Sequence, residues 1–450
     1  MFKENNLLKG SIFKSLTLFT IPILISLIFQ ALYTTVDLWM VSRFGVDADI
    51  SAVSTGGQSV SIATGFIIGL SMGITILLGQ SIGERNNQKS ANIVGSSIYI
   101  FGVLTIIITI GMSIFAPMIA NVLNTPTLAF DKTVTYIIIC SIGFVFIVGY
   151  NILASIFLAT GDSKTPLIYI SIACVVNILA DYILINSFDM GAMGAAFATI
   201  LAQAVSVILC LISIKKRLPF KIGKENMRFN KELSMNIIKL GAPIALLRMC
   251  NEFSYFAILG FVNTLGVVAS SGVGIAEKLV MFILLIPTAY MSSISTFVAQ
   301  NEGAKNPSRA RKGLFVGMIT STLFGGAMAL ISFFYGNVLS SWFVNDPLIN
   351  DASHMFLKAT SIECFIFSIA CCFEGYFNGI GKTTFVMIEG ITAALCVRVP
   401  FAYYQSINNP DNLFMIGLST SIAALYMLLL SSGYFLYLKL KKNHKPKVSV

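Results

Sequence analysis

The sequence predicts an all-α membrane protein with twelve transmembrane helices in two six-helix bundles. Three observations support this fold class. The 450 residues are 56% hydrophobic and only 11% charged, with a mean hydropathy of +0.83, whereas soluble domains carry roughly 25% charged residues. The apolar runs reach the length of a membrane-spanning helix rather than that of a strand. The second half of the chain also repeats motifs of the first.

Twelve apolar runs are long enough to cross a bilayer. The first follows several Lys residues and has no small-residue cleavage site, so we interpret it as a transmembrane helix and not as a removable signal peptide. The eight cysteines all fall within the runs in no ligand spacing, which favours small apolar residues over disulfides or metal ligands. The predicted spans are 15–41, 52–79, 92–119, 133–159, 165–187, 191–214, 235–262, 270–299, 312–343, 352–378, 385–407 and 413–438.

The distribution of Lys and Arg orients these spans. One set of span ends holds 24 of the 30 basic residues, including the run from Lys215 to Lys239, and the opposite ends hold 3. The positive-inside rule therefore places both termini in the cytoplasm of a multi-pass protein of the cell membrane. In a soluble protein, a net charge of +10 would suggest that nucleic acid is the partner. Here the charge is explained by the basic residues of the cytoplasmic loops, so we expect no nucleic-acid partner.

The chain contains an internal repeat in three places. The matching segments are 21–45 with 242–266, 77–86 with 297–306, and 159–166 with 377–384. Because six spans per half is an even number, both halves insert in the same orientation, and the axis that relates them runs along the membrane normal. We therefore predict an N-terminal bundle (1–214), a cytoplasmic connector (215–234) and a C-terminal bundle (235–450), with a cleft between the bundles at membrane depth.

One segment of the repeat resembles a phosphate-binding loop. "GYFNGIGKTT" at 375–384 has one residue too many between its glycines, and no strand is predicted before it. We interpret it as a tight turn between helices, like its counterpart at 159–166. Because no other ATP-binding motif occurs, the sequence predicts a protein that is not an enzyme, has no cofactor and draws its energy from an ion gradient.

Polar side chains lie at one depth of the first bundle. Asp37 is near the outer end of span 1, Asp181 is in span 5 one turn after Asn177, and Thr199 is in span 6. These oxygen ligands suit Na⁺, or one proton shared between two carboxylates. The predicted first six spans contain no Lys or Arg, so a mobile cation is the natural partner. Each carboxylate also has an alternative to binding a cation. Asp37 could reach water at the membrane interface, and Asp181 could be a protonated, hydrogen-bonded acid with a structural role.

The second bundle holds both signs of charge within its spans. Apart from the basic residues counted with the span ends, its charged residues are Arg248, Glu252, Glu277, Lys278, Glu363, Glu374, Glu389 and Arg398. Acids outnumber bases, so one acid is available to attract a cationic substrate, and Glu252 is the deepest. Met249 and Tyr255 could give it an apolar and aromatic wall. Pairing of Glu252 with Arg248, one turn away, is the alternative.

Span 1 reads Pro22-x7-Gln30-x2-Tyr33-x3-Asp37, and spans 4 to 6 add Asn151, Asn177, Asp181 and Thr199. With these residues the whole chain resembles the multidrug and toxic compound extrusion (MATE) family, in its prokaryotic NorM-like and DinF-like branches. The resemblance implies a V-shaped pair of bundles that exports organic cations in exchange for Na⁺ or H⁺.

The resemblance also implies residue roles. Asp37, Asn177, Asp181 and Thr199 would form the cation site, which would be the Na⁺ site of a sodium-coupled protein. Gln30, Tyr33 and Asn151 would surround it, and Pro22 would let span 1 bend. The NorM-like branch carries an acid in span 7, which Glu252 resembles, and an Asp in span 10, where this chain offers Glu363 and Glu374.

These observations favour a monomeric secondary antiporter that exports drugs. A flippase for lipid-linked or polyprenyl-linked substrates is one alternative, although such a protein would line its cavity with several cations. A channel or a structural membrane protein is the other, although a pore needs no paired acids and no second state.

Overall fold

Residues 7–443 of the computed structural model are described here, and every regular element within them is helical. A 3-10 turn (Thr127–Ala129) and two π-helical turns (Tyr182–Ser187 and Thr392–Arg398) interrupt the α-helices. The α-helices are α1 (Ile12–Phe44), α2 (Asp47–Gly83), α3 (Asn87–Ile114), α4 (Ala116–Val122), α5 (Phe130–Ile142), α6 (Phe144–Ala159), α7 (Lys164–Asp181), α8 (Gly191–Arg217), α9 (Lys231–Asn263), α10 (Val267–Ile283), α11 (Leu285–Gly303), α12 (Pro307–Ser341), α13 (Pro347–Gly379), α14 (Thr383–Ile391), α15 (Val399–Asn408) and α16 (Leu413–Asn443).

The predicted fold class, an all-helical membrane protein, is confirmed. Eleven helical segments of the described chain are long and apolar enough to cross a membrane, and a bent pair makes a twelfth when it counts as one span. The segment at 375–384 is the end of α13, a turn and the start of α14, as expected for a turn between helices.

Besides the spans that contain the two π-helical turns, three predicted spans are divided into two α-helices, and one of these is span 8 (270–299), which is formed by α10 and α11. Span 4 bends by 47° between Thr127–Ile142 and Phe144–Ala159. A Cβ atom on Gly143, at the bend, would lie 2.3 Å from Cδ1 of Ile200, so glycine is what allows α8 to pack there. Span 3 ends as a helix at Ile114, and the short α4 follows with a proline in its first turn. Hydropathy carries no signal for such breaks, because a bent span is as apolar as a straight one.

Two compact units form separate cores. They are Met1–Arg248 with Ala299–Asn306, and Met249–Val298 with Pro307–Val450. In the first unit, Phe101 and Phe144 are buried in a core that also takes in the start of α9. In the second, Val273, Phe356 and Ile416 are buried together. The boundaries predicted for the N-terminal bundle, the connector and the C-terminal bundle, at 214 and 235, describe the duplication of the chain and not its compact units. They therefore stay a prediction.

Two glycines of the repeated motif pack directly against backbone atoms within the first unit. A Cβ atom on Gly83 would lie 2.0 Å from the carbonyl oxygen of Gln300, and one on Gly303 would lie 1.9 Å from that of Gln80. Each glycine therefore packs against the backbone of the glutamine in the other copy of the motif. The match between the two glycines in the sequence thus has a steric cause, because no side chain fits at either position.

The connector packs closely against α3 within the first unit. Asn226 donates from Nδ2 to Oδ1 of Asn92 at 2.8 Å, and the Tyr99 hydroxyl donates to the carbonyl oxygen of Met227 at 3.0 Å. A Cβ atom on Gly95 would lie 1.9 Å from the carbonyl oxygen of Asn226. Phe220 is buried in the first core. Side chains and backbone therefore hold the connector in place.

We predict that a cysteine replacing Glu225, an exposed connector residue, is protected from a membrane-impermeant thiol reagent in intact cells and labelled after permeabilisation. A cysteine at the exposed Thr127, on the predicted outer side, should be labelled in both cases. The unsubstituted protein measures the background from native thiols. Labelling of Glu225→Cys in intact cells would reverse the orientation. Asn226 is unsuitable for this test because it is only 3% exposed, so burial would protect its thiol on either side.

Candidate cation site

Helix α1 carries the first carboxylate of the site. It runs through Pro22 as one helix, and the Ser26 hydroxyl donates to the carbonyl oxygen of Pro22 at 2.8 Å. Four turns further on, Asp37 is only 4% exposed. A carboxylate so placed in a membrane span costs several kcal/mol to bury and requires a partner.

Four predicted ligands meet inside the first unit. The hydroxyl of Thr199, on α8, donates to Oδ2 of Asp37 at 3.0 Å. Asn177 and Asp181, both on α7 and both fully buried, place their side chains beside the same carboxylate. Three helices thus bring two carboxylates, an amide and a hydroxyl together, as the sequence predicted.

This cluster has more polar atoms than hydrogen bonds. Among the described residues, Oδ1 of Asp37, both carboxylate oxygens of Asp181 and both amide atoms of Asn177 are buried without a hydrogen-bond partner. The large majority of buried side-chain polar atoms in proteins do have one. Two carboxylates cannot satisfy each other unless they share a proton or a cation. The unfilled acceptors are what an oxygen-coordinated ion or a bound proton would satisfy.

A second layer of polar residues adjoins the cluster. Nε2 of Gln203 contacts the Tyr33 hydroxyl at 3.5 Å, and Tyr33 is within electrostatic range of Asp37. Tyr136 and Cys140 of α5 also lie within that range. Sequence reasoning found Tyr33 but missed the other three. Gln203 could have been found, because it follows Thr199 by one helical turn.

The other two residues predicted to surround the site have different partners. Nε2 of Gln30 donates to the carbonyl oxygen of Ser26 at 3.3 Å, and Nδ2 of Asn151 donates to that of Ile147 at 2.8 Å. Both amides therefore bond to their own helices, one turn back. Within residues 7–443, no hydrogen bond joins either one to the carboxylates of the cluster.

Asp181 lies where the helical geometry changes. Helix α7 ends at this residue and continues as the π-helical turn Tyr182–Ser187. Short π-helical insertions are rare and occur frequently at functional sites. The wider turn changes the direction of side chains and backbone carbonyls directly after the carboxylate.

Beyond the cluster, towards the predicted outer surface, an apolar layer is followed by an ion pair between the buried Asp49 and the exposed Lys132. Met40 and Val41 of α1 pack into that layer. Asp49 then accepts hydrogen bonds from Nζ of Lys132 at 2.8 Å and from the backbone N–H of Ala192 at 3.0 Å. These contacts tie the starts of α2 and α8 to α5 and separate the carboxylates from that end of the unit.

The residues predicted for a substrate cleft lie on α9 and differ in environment. Glu252 is exposed, and Met249 is half-buried. Tyr255 instead belongs to a polar cluster within the second unit: its hydroxyl donates to Oε1 of Glu363 at 3.3 Å, and the guanidinium of Arg398 lies 4.6 Å from its ring centroid. Its ring and hydroxyl are therefore engaged within the unit.

The helical spans and the buried carboxylates define a multi-span membrane transporter. The chain matches the MatE family twice, over residues 22–183 and 243–404, and these matches cover most of its length. It therefore belongs to the MatE family of membrane transporters, which are not enzymes. The double match also agrees with the internal repeat.

Individual relatives support this assignment along the whole chain. The probable multidrug resistance protein YoeA of Bacillus subtilis is 25% identical over 444 residues, which are 97% of this chain and 96% of the relative. An FAD transporter of Shewanella oneidensis is 24% identical over 361 residues, 78% of each chain. A crystal structure of MATE in complex with MaL6 superposes with a TM-score of 0.91, at 20% identity and over 98% of this chain and 100% of that one. That likeness shows the fold.

Proposed function

We propose that the protein is a secondary antiporter that exports small organic cations from the cell in exchange for Na⁺ or H⁺. The observation that carries this proposal is the pair of buried carboxylates, Asp37 and Asp181, whose acceptor atoms exceed the available donors among the described residues. A site with two acids and no built-in base needs a mobile cation. Family membership supports transport as its purpose.

The proposed cycle exchanges two cations across the membrane. Open to the outside, the first unit takes up the ion between Asp37 and Asp181, with Asn177 and Thr199 as further oxygen ligands. The added positive charge favours the state that faces the cytoplasm, where the ion leaves and the substrate binds. Exchange of two monovalent cations moves no net charge, so the membrane potential contributes little. A tenfold ion gradient supplies about 1.4 kcal/mol per ion.

The substrate class rests on the relatives and on the acids of the second half. YoeA is described as a probable multidrug resistance protein, and acids outnumber bases within the spans of the C-terminal half once the basic residues at the span ends are set aside. A relative described as an FAD transporter is about as similar in sequence to this chain as YoeA is. A substrate panel should therefore include cationic dyes, neutral drugs and FAD.

The experiment that tests the proposal measures uptake into inverted membrane vesicles, with and without a Na⁺ gradient at fixed pH and then with a pH gradient at fixed Na⁺. Antiport predicts cation uptake that requires one of the two gradients. Movement of a lipid-linked substrate without either gradient would support the flippase. Flux in both directions that follows only the substrate gradient would support a channel.

Glu252→Gln should lower the transport of cationic substrates by about fivefold, the equivalent of ~1 kcal/mol for one partly solvated charge. The reason is its exposure on α9 and its proximity to a second acid, Glu277. Vesicle uptake of several cations and one neutral drug measures the effect. Glu232→Gln, which alters an exposed acid at the start of the same helix, is the control. Unchanged transport of every cation would favour pairing with Arg248.

A further inference from the structure

The second unit contains a buried polar cluster that the proposed cycle does not use. Arg398 is 5% exposed and Glu363 is 3% exposed. The Arg398 guanidinium lies over the ring of Tyr255 at 4.6 Å, and the Tyr255 hydroxyl donates to Oε1 of Glu363 at 3.3 Å. Nη1 of Arg398 also reaches Oδ1 of Asn251 at 3.5 Å. One aromatic side chain thus links a fixed cation to a buried carboxylate.

The internal repeat relates this cluster to the candidate cation site. The two family matches begin at residues 22 and 243 and end at 183 and 404, so the halves are shifted by 221 residues at both ends of the match, although the turns between those ends are related by smaller shifts. By the shift at the ends, Asn251 corresponds to Gln30 near the start of the match, and Arg398 corresponds to Asn177 near its end. The same shift, continued past the matched segment, pairs Thr420 with Thr199. Thr420 lies beside the Glu363 carboxylate, as Thr199 lies beside Asp37.

Each cluster also adjoins a π-helical turn. The first cluster is followed by the π-helical turn Tyr182–Ser187, and the second includes Thr392–Arg398, a π-helical turn that ends at the arginine itself. Both turns lie in the fifth span of their halves. By the shift of 221, the turn Thr392–Arg398 corresponds to residues 171–177 within α7, so the two turns share a span but not a position. The two clusters therefore adjoin the same span of their halves, and their carboxylates come from different helices.

The two clusters differ in the charges that they hold. The first holds two carboxylates and no base. The second holds Glu363 together with a guanidinium, which is always charged in proteins. Within the described chain, Oε2 of Glu363 and Nε of Arg398 are buried without a hydrogen-bond partner, so neither group is fully satisfied by its present neighbours. Glu277, in electrostatic range of Tyr255, adds a further acid on α10.

We propose that Arg398 is a built-in cation that occupies the second unit's counterpart of the ion site, so that each transport cycle couples to the ion of the first cluster alone. This inference rests on the proposed antiport. It makes Arg398 the residue that sets the number of coupled ions. A mobile cation would neutralise Glu363 only when bound, whereas the guanidinium does so throughout the cycle. The second unit then carries no ion-dependent change of charge at this place.

Replacement of Arg398 by Asn, the residue at the corresponding position 177, should uncover a latent ion site. The test measures radiolabelled Na⁺ binding at equilibrium by the purified full-length protein, at alkaline pH where proton competition is weakest. We expect the number of bound Na⁺ ions to rise by one per chain in Arg398→Asn. Adding Glu363→Gln to this variant should remove the extra ion. Arg398→Lys, which retains a charge, should bind no extra ion.

A purely structural role of Arg398 predicts a different result. Under the proposal, Na⁺ restores the thermal stability that Arg398→Asn loses, in proportion to occupancy, because a ligand that binds only the folded state stabilises it. If the arginine is only structural, Arg398→Asn also loses stability, but Na⁺ does not restore it. Any effect of Na⁺ on Arg398→Asn would then be no larger than its effect on Arg398→Lys. Arg398→Gln provides a second neutral variant if the Asn variant does not fold. A folded neutral variant with no extra ion would overturn the proposal.

The same measurement separates this inference from the proposed function. The background Asp181→Asn removes the first ion site, so a single Na⁺ bound by Asp181→Asn with Arg398→Asn must occupy the second. If the unsubstituted protein binds no Na⁺ and Asp181→Asn changes nothing in Na⁺ binding, the first site is not a Na⁺ site, and the sodium-coupled form of the proposed function fails. A gained site in Arg398→Asn would still support the inference about the second unit.

Discussion

Asp181→Asn is expected to abolish gradient-driven efflux while the protein inserts and folds normally. Replacing a buried acid by an amide of the same shape relieves a desolvation cost and adds none. The amide cannot exchange a cation or a proton, so the gradient loses its point of coupling. Vesicle uptake should fall to the level of vesicles without the protein. Substrate binding, measured separately, should survive if the substrate does not share the ion's ligands.

Asp189→Asn is the matched control for this variant. Asp189 is exposed, lies eight positions further along the chain and has a positive φ of 55° that Asn also adopts. It should transport like the unsubstituted protein. Full export by Asp181→Asn, at normal expression and with the same ion dependence, would show that this aspartate is structural.

Asn177→Ala distinguishes the two ions at the same site. A Na⁺ ion would lose one neutral oxygen ligand, so half-maximal efflux should require a higher Na⁺ concentration. A proton requires only the carboxylates, so H⁺-driven efflux should change little. The two gradients are applied separately to the same vesicle preparation, which makes each the internal reference for the other.

Gly83→Ala should destabilise the protein, although alanine favours a helix over glycine by about 1 kcal/mol. The added Cβ would lie 2.0 Å from the carbonyl oxygen of Gln300, and such overpacking against backbone costs about 1–3 kcal/mol or more. The measurement is thermal unfolding of the purified protein in detergent. We expect a clear decrease in the midpoint temperature.

Gly65→Ala, on the same helix, provides the control of opposite sign. A Cβ atom there would meet no atom within 4 Å, so only the gain in helix propensity remains and the midpoint should stay constant or rise. Equal effects of the two substitutions would mean that the contact between Gly83 and Gln300 does not constrain the folded protein.

Helical periodicity predicted the parts of the site that lie on a single helix. Asn177 and Asp181 are one turn apart on α7, so their shared face follows from spacing alone. The contact of Thr199 with Asp37 joins residues 162 positions apart, and the sequence approximated it only through the depth of each residue in its span. That argument used hydropathy, which also gave the number of spans.

Contacts in the second unit were beyond this reasoning. Tyr255 and Glu363 are 108 positions apart, and Arg398 and Asn251 are 147 apart, with no shared helix face to relate them. Helical spacing instead suggests a pair one turn apart, between Glu252 and Arg248. The π-helical turns and the bend at Gly143 were missed for another reason: they change backbone geometry without changing the composition of the span.

The reciprocal contact of Gly83 and Gly303 has a consequence for how the duplicated halves evolve. Each glycine is kept small by the backbone of the other motif copy, so a mutation at either position forces the same two helices apart. The second mutation then meets a gap that the first has opened, and its cost is less than additive. We therefore expect substitutions at these two positions to be coupled, so that a relative that replaces one glycine also differs around the other.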